Sequence, residues 1–136
     1  MDTSKKVSII MGIYNCASTL NEAIDSIIDQ TYPNWEFIIC DDGSKDNSYN
    51  IAKSYEAVDS KRFKVIKNKT NKGLNATLNK CLEIADGEYI ARMDGDDLCD
   101  PTRLQKEVQI LNNHPEYAIV STYMTTFDEG GDWGCI

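Results

Sequence analysis

Within Asp94-Gly-Asp96-Asp97 the chain places three carboxylates in four positions, and Asp100 follows closely. Like charges so close repel one another, and a bound cation is the usual reason such a cluster is tolerated. Carboxylate oxygens are hard ligands that suit Mg2+ or Mn2+, ions that keep open positions for water and substrate phosphates. Gly95 lets the backbone bend there and lets a phosphate come close. An Asp-x-Asp by itself is more often the mark of a solvated turn, so the elements that deliver it decide the reading.

A second acidic pair, Asp41-Asp42, runs into Gly43-Ser44. An Asx-type turn and a helix cap account for Gly43 and Ser44. The paired carboxylates go beyond that need, and one of them is able to accept hydrogen bonds from a base edge or a ribose hydroxyl. Tyr14-Asn15 offers a ring that either lids the core or stacks on a nucleobase. In the basic stretch over 61–72, Lys72 stands beside Gly73 at an expected helix start, where a phosphate is met. Its basic neighbours read as a solvated face.

Other chemistries fail on inventory. The one histidine, His114, sits in Asn-Asn-His-Pro at a helix end, where capping accounts for it. A serine or cysteine nucleophile therefore has no base. Neither a dinucleotide-binding glycine fingerprint nor a phosphate-binding P-loop occurs. Five cysteines without a paired spacing fit neither a disulfide framework nor a zinc site, and imply a reducing compartment. Fourteen basic against 22 acidic side chains, net −8, argue against a nucleic-acid partner. The imbalance is local, since residues 81–136 hold 12 of the acids and only 3 of the bases.

The 136 residues make one domain with room for a core. Val7–Met11 is too short for a signal peptide and reads as a first strand, and no run approaches the ~20 apolar residues of a membrane helix. Thr19-x-x-Glu22 forms a capping box for a helix with Leu20, Ala23, Ile24, Ile27 and Ile28 on one face, stopped by Pro33. Strands are expected over 36–40, 63–66, 88–92 and 118–121. A helix capped by Ser44 or Asp46 runs to about Tyr55. Another follows Gly73 with Leu74, Leu78, Cys81, Leu82 and Ala85 as its apolar stripe. The last has Pro101 in its first turn, Leu104, Val108 and Leu111 inside, and its end near His114.

Five strands alternating with four helices predict a mostly parallel open α/β sheet with helices on both faces, three layers in all. Ligands of such sheets bind at the carboxyl ends of the strands. Tyr14, Asp41-Asp42 and Asp94–Asp97 all fall there. Residues 125–136 read as a turn-rich loop, and the chain as a single domain that looks cut rather than finished.

Taken in order, these segments resemble the family 2 glycosyltransferases of the GT-A, Rossmann-like fold. The matching pieces are Val7-Ser-Ile-Ile-Met-Gly-Ile-Tyr-Asn15, Gln30-Thr-Tyr-Pro-Asn-Trp-Glu36, Ile39-Cys-Asp-Asp-Gly-Ser-Lys-Asp46, Asn71-Lys-Gly73 and Gly87-Glu-Tyr-Ile-Ala-Arg-Met-Asp-Gly-Asp-Asp97, continued by Pro101-x-Arg103. The resemblance implies nucleobase contacts from Gly12 and Tyr14, and a uracil- or ribose-binding acid at Asp42, with Asp41 beside it. It implies Asp96 on a divalent Mn2+ or Mg2+, with Asp94 toward metal, ribose and sugar. It further implies inverting transfer from a nucleotide-sugar donor, a UDP-sugar, to a glycan or lipid-linked acceptor in cell-envelope polysaccharide synthesis. A cytoplasmic protein follows, at the inner membrane face where the acceptor is lipid-linked.

Three departures stand out. Met11-Gly12 replaces a proline, Asn75-Ala-Thr replaces an arginine and leaves Lys72 as the diphosphate contact, and the catalytic base falls outside the chain unless Asp128, Glu129 or Asp132 serves. Two other fold families fit less well. A receiver-like Mg2+-binding domain needs a lysine ending its last strand, where Ser121-Thr-Tyr stands. A nucleotidyltransferase needs a basic glycine-rich loop after the first strand, and Gly12–Asn21 has neither Lys nor Arg.

Overall fold

A computed structural model describes residues 1–122, 124–128 and 131–135, and over 125–135 the backbone only. Four strands, β1 (Val7–Ile13), β2 (Trp35–Asp41), β3 (Phe63–Lys67) and β4 (Tyr89–Arg92), form one parallel sheet in the order β3-β2-β1-β4. Each crossover carries a helix: α1 (Ala17–Ile28), α2 (Ser48–Val58) and α3 (Leu74–Ile84). Helix α4 (Arg103–Asn113) follows β4.

Strand side chains alternate between faces, so each strand feeds two cores. Val7, Ile9, Met11, Ile13, Phe37 and Ile39 join Leu20, Ile24 and Ile27 of α1, Ala52 of α2, and Leu104 and Val108 of α4. On the opposite face Ile10, Ile38 and Cys40 meet Leu78 and Cys81 of α3. The expected three layers are therefore present, and β1, nearly all apolar, sits at their centre. Among the described residues Cys16, Cys40, Cys81 and Cys99 are free, and no helix is long and apolar enough to cross a membrane.

Some expectations need correction. Residues 118–121 form no strand and are largely exposed, with Ile119 at 85%. An apolar run becomes a strand only where another backbone pairs with it. Pairing instead joins β5 (Thr125–Asp128) and β6 (Gly131–Cys135) as an antiparallel ribbon, where a loop was expected. Thr19 and Glu22 make no capping box, because α1 begins at Ala17 behind Cys16 without any side-chain cap from its own first turn. That helix also ends at Ile28, ahead of Pro33, with Ile28 exposed. Helix α2 runs on to Val58. Leu74 and Leu82 are exposed, so the buried stripe of α3 is Thr77, Leu78 and Cys81.

At the amino end of the sheet lies an ion network that periodicity could not reveal. Glu36 on β2 is 1% exposed. Its Oε1 accepts from Ser8 Oγ (2.7 Å) and the Asp86 amide (3.1 Å), and its Oε2 from Lys64 Nζ (3.0 Å), with Lys6 Nζ 3.3 Å away. Burial disfavours the charge, but these donors outweigh it and hold the Glu36 carboxyl down at about 2, against 4.5 ordinarily. A depressed carboxylate stabilises the fold above its unfolded pKa, and that contribution is lost as pH falls from about 4.5 toward 2. Glu36→Gln is expected to cost about 1–3 kcal/mol at neutral pH. Urea unfolding should show the gap between variant and parent closing below about pH 4.5; a gap that stays constant with pH would contradict it.

Candidate functional site

The carboxyl ends of the strands converge as the parallel register demands. Ile13 pairs with Asp41, and Ile10 with Arg92. At this rim a cleft of about 220 Å³ is lined by Gly12, Ile13, Tyr14, Asp42, Asn71, Gly73, Leu74 and Thr77. Tyr14 is 47% exposed at its mouth, leaving a ring face open to stack on a planar ligand. Gly12 packs tightly: a Cβ there would stand 3.0 Å from Leu74 Cδ1 and 3.1 Å from Thr77 Cγ2 and would press on α3. The absent side chain lets α3 close onto β1 and leaves bare backbone in the cleft wall.

The structure separates the two acids at the end of β2. Asp41 Oδ2 accepts the Ser44 amide three residues on (2.9 Å), one residue beyond the span of the expected Asx turn, while its buried Oδ1 has no hydrogen bond. Asp41 is not among the cleft walls. Asp42 is, and it ties β2 to the start of α3. Its Oδ1 accepts from Asn68 Nδ2 (2.9 Å) and the Lys72 amide (2.8 Å), and its Oδ2 from the Gly73 amide (3.0 Å). Burial raises the Asp42 pKa, yet these hydrogen bonds prevail and leave it lowered. Two oxygens offer about four acceptor sites, so Oδ2 keeps one for a ligand. Lys72 contributes its amide to Asp42, between the cleft residues Asn71 and Gly73.

Beyond β4 the carboxylates of Asp94, Asp96 and Asp97 each bring an oxygen within 4.8 Å of the others. The Asp97 amide bonds to the Asp94 carbonyl (3.1 Å), which curls the backbone into a turn. Partial burial and the charges of Asp94 and Asp96 raise the Asp97 pKa. Asp94 Oδ1 is shut off from solvent without a hydrogen bond, with Arg92 Nη2 3.5 Å away. A carboxylate oxygen without a hydrogen bond, inside an all-oxygen trio, has the donor chemistry that a hard divalent cation takes. Gly95 has no left-handed backbone; its smallness matters because a Cβ would lie 2.8 Å from Cys16 Sγ and 3.2 Å from Ile13 Cγ2. The carboxylate turn thus rests on Ile13, itself a cleft wall.

Loop β2–α2 holds the start of α1 in place of a local cap. The amides of Asn15, Cys16 and Ala17 donate to Ser44 Oγ (2.9 Å), Ser48 Oγ (3.0 Å) and Asp46 Oδ2 (3.1 Å). Asp46 Oδ1 also accepts the Ser48 amide (3.0 Å) at the first turn of α2, so one carboxylate serves two helices. Its pKa is lowered, first by the Ser48 hydroxyl.

Sequence reading missed Asn68, Asn71, Leu74 and Thr77. The i, i+3 spacing of Leu74 and Thr77, which puts both on one helix face, was the available signal. His114 is the C-cap of α4, as expected. Of the candidate bases, Glu129 lies outside the described residues, and Asp128 and Asp132 are placed on β5 and β6 by backbone alone.

Comparison with known proteins bears on this rim. The model of the family described as "Glycosyl transferase family 2" matches residues 8–134. The Bacillus subtilis (strain 168) protein EpsE, named a glycosyltransferase, is 56% identical over 131 residues, which is 96% of this chain and 47% of that protein. Escherichia coli WfaP, named a UDP-Glc:alpha-D-GlcNAc-diphosphoundecaprenol beta-1,3-glucosyltransferase, is 36% identical over 86% of this chain and 45% of its own. Both relatives are about twice as long as this chain. The structure of S. aureus TarS 1-349 in complex with UDP-GlcNAc superposes with TM-score 0.75 at 27% identity, over 81% of this chain and 32% of that one. Mannosyltransferase PcManGT from Pyrobaculum calidifontis, in complex with GDP-Man and Mn2+, does so with TM-score 0.73 at 25% identity, over 81% and 34%.

Replacing Asp42 tests whether its carboxylate builds the cleft. Asp42→Asn puts an amide donor among three donors and is expected to cost about 1–3 kcal/mol of stability. Hydrogen exchange should quicken at the Lys72 and Gly73 amides; unchanged exchange there would mean the cleft wall stands without Asp42.

Proposed function

This chain belongs to glycosyl transferase family 2, and from that premise we propose that it forms the donor-binding part of an inverting, metal-dependent glycosyltransferase using a UDP-sugar. The observation that carries this reading is the contact of two features at one rim. A cleft with a stacking ring and a single free carboxylate acceptor adjoins a turn bearing three clustered acids.

In this reading Tyr14 stacks on the base, the bare backbone of Gly12 lies against it, and Asp42 Oδ2 takes one N–H donor. Uracil presents one imide N–H, whereas guanine presents neighbouring N–H and amino donors that call for two acceptor sites. The one site left on Asp42 therefore favours uracil. UDP-GlcNAc in the TarS complex supports a uridine donor, and the GDP-Man complex of PcManGT marks the alternative to test. Asp96 and Asp94 hold Mn2+ or Mg2+, with Asp94 also toward the ribose, and Lys72 lies next to the diphosphate. Mn2+ with PcManGT supports the ion. When bound, the ion supplies a Lewis acid that neutralises the departing diphosphate.

Asp41 serves the turn that aims Asp42. A base for the acceptor hydroxyl must come within hydrogen-bond reach of its proton. The described acids of this rim are engaged in turns, caps and the carboxylate trio, and the base is assigned to an acid outside the rim. The name of WfaP supports a lipid-diphosphate-linked glycan as acceptor, and with it peripheral work at the cytoplasmic membrane face.

Calorimetric titration of this chain with UDP and with GDP, each with Mn2+ and with chelator, tests the reading. UDP should bind more tightly than GDP and only with metal. Asp96→Ala should weaken it by the worth of a lost charged contact, about 1.5–3 kcal/mol, or roughly 10- to 150-fold. Tighter GDP binding would reassign the base, and binding indifferent to chelator would remove the metal from the site.

A further inference from the structure

We infer that Thr19, on the first turn of α1, is a positioning residue that holds the Asp94–Asp97 turn in its ion-binding shape; the inference rests on the donor-site reading above. The Thr19 hydroxyl lies 2.9 Å from the Gly95 carbonyl and 3.2 Å from the Cys16 carbonyl. It has one proton, and the shorter contact receives it. Gly95 is buried between Asp94 and the exposed Asp96, and its other surface is pressed against Cys16 and Ile13.

The Gly95 carbonyl shares a peptide plane with the Asp96 amide, so fixing that oxygen fixes the direction in which Asp96 leaves the backbone. Three carboxylates in one turn push it open when no cation is present. The hydroxyl opposes that opening from a rigid helix, and part of the ordering that the ion would otherwise impose is already in place. Thr19 is neither a wall of the cleft nor one of the clustered acids. It acts through Gly95.

Its own helix is anchored in turn, since the Asn15 and Ala17 amides are held by Ser44 and Asp46 of the loop that begins with Asp42, and the Cys16 amide by Ser48, the first residue of α2. The acid of the cleft and the acids of the turn are therefore connected through α1.

Thr19→Val keeps the shape and deletes the donor, while Thr19→Ser keeps the donor and deletes a methyl group. Without metal or nucleotide, the Asp97 amide, bonded to the Asp94 carbonyl, should exchange faster in Thr19→Val and at the parent rate in Thr19→Ser. Calorimetry with Mn2+ and UDP should find Thr19→Val weaker by roughly 2- to 12-fold, the net worth of one neutral hydrogen bond, and Thr19→Ser restored. Parent-like exchange and affinity in Thr19→Val would overturn the inference. So would a Thr19→Ser variant as impaired as Thr19→Val, which would assign the effect to methyl packing. A parent chain that binds neither Mn2+ nor UDP would refute the donor-site reading and the functional inference with it. The exchange result would then still say whether the hydroxyl holds the turn, keeping the two failures apart.

Discussion

Everything at the rim depends on β1 lying between two parallel neighbours. Parallel strands must be joined by crossovers, and the crossovers here are helices, so the strands leave the sheet at a common edge. Asp42 and Asp94 are far apart along the chain, yet the pairing of Ile13 with Asp41 and of Ile10 with Arg92 brings their loops to that edge. A one-residue slip would exchange the faces of β2 and turn Asp42 away from α3. Burial of both faces makes such a slip costly. Phe37 and Ile39 feed one core, while Ile38 and Cys40 feed the other.

The two ends of the sheet use carboxylates in opposite ways. At the amino end Glu36 is buried and matched by Lys64, Lys6 and two hydrogen-bond donors, which close its charge within the protein. At the carboxyl end Asp94, Asp96 and Asp97 stand together, with Arg92 beside Asp94 and the charge of Arg103 felt at Asp97. A satisfied buried acid serves stability. A cluster of acids with little positive charge beside it suits the external cation proposed above, because repulsion between them falls when such an ion arrives.

Between the rim loops stands α1. Its first amides are capped by Asp46 of the β2–α2 loop and by Ser48 at the start of α2, and Thr19 returns a hydrogen bond to the turn after β4. Helix ends leave several N–H groups unsatisfied, and supplying them from another loop turns a local need into a tertiary tie. The tie explains why Asp46, in a segment that resembled only a cap for α2, bonds to two helices. Chain membership in glycosyl transferase family 2 accords with this frame, which the TarS and PcManGT structures share over 81% of the chain.

Much was legible in the residues alone. Strands β1 to β4 announced themselves by β-branched runs, the helices by spacing of apolar residues, and the alternation implied parallel pairing, because each of these is a property of neighbours along the chain. The acids at strand ends were legible for the same reason. What only the tertiary structure decided was which groups satisfy which. It separated Asp41 from Asp42, moved Leu74 from core stripe to cleft wall, and matched Glu36 with lysines. It freed Thr19 from its expected cap and left 118–121 without a partner strand. Local propensity speaks for the backbone of a segment, whereas the partner of a polar group is set by what packing brings within hydrogen-bond distance, and that is fixed only when distant elements meet.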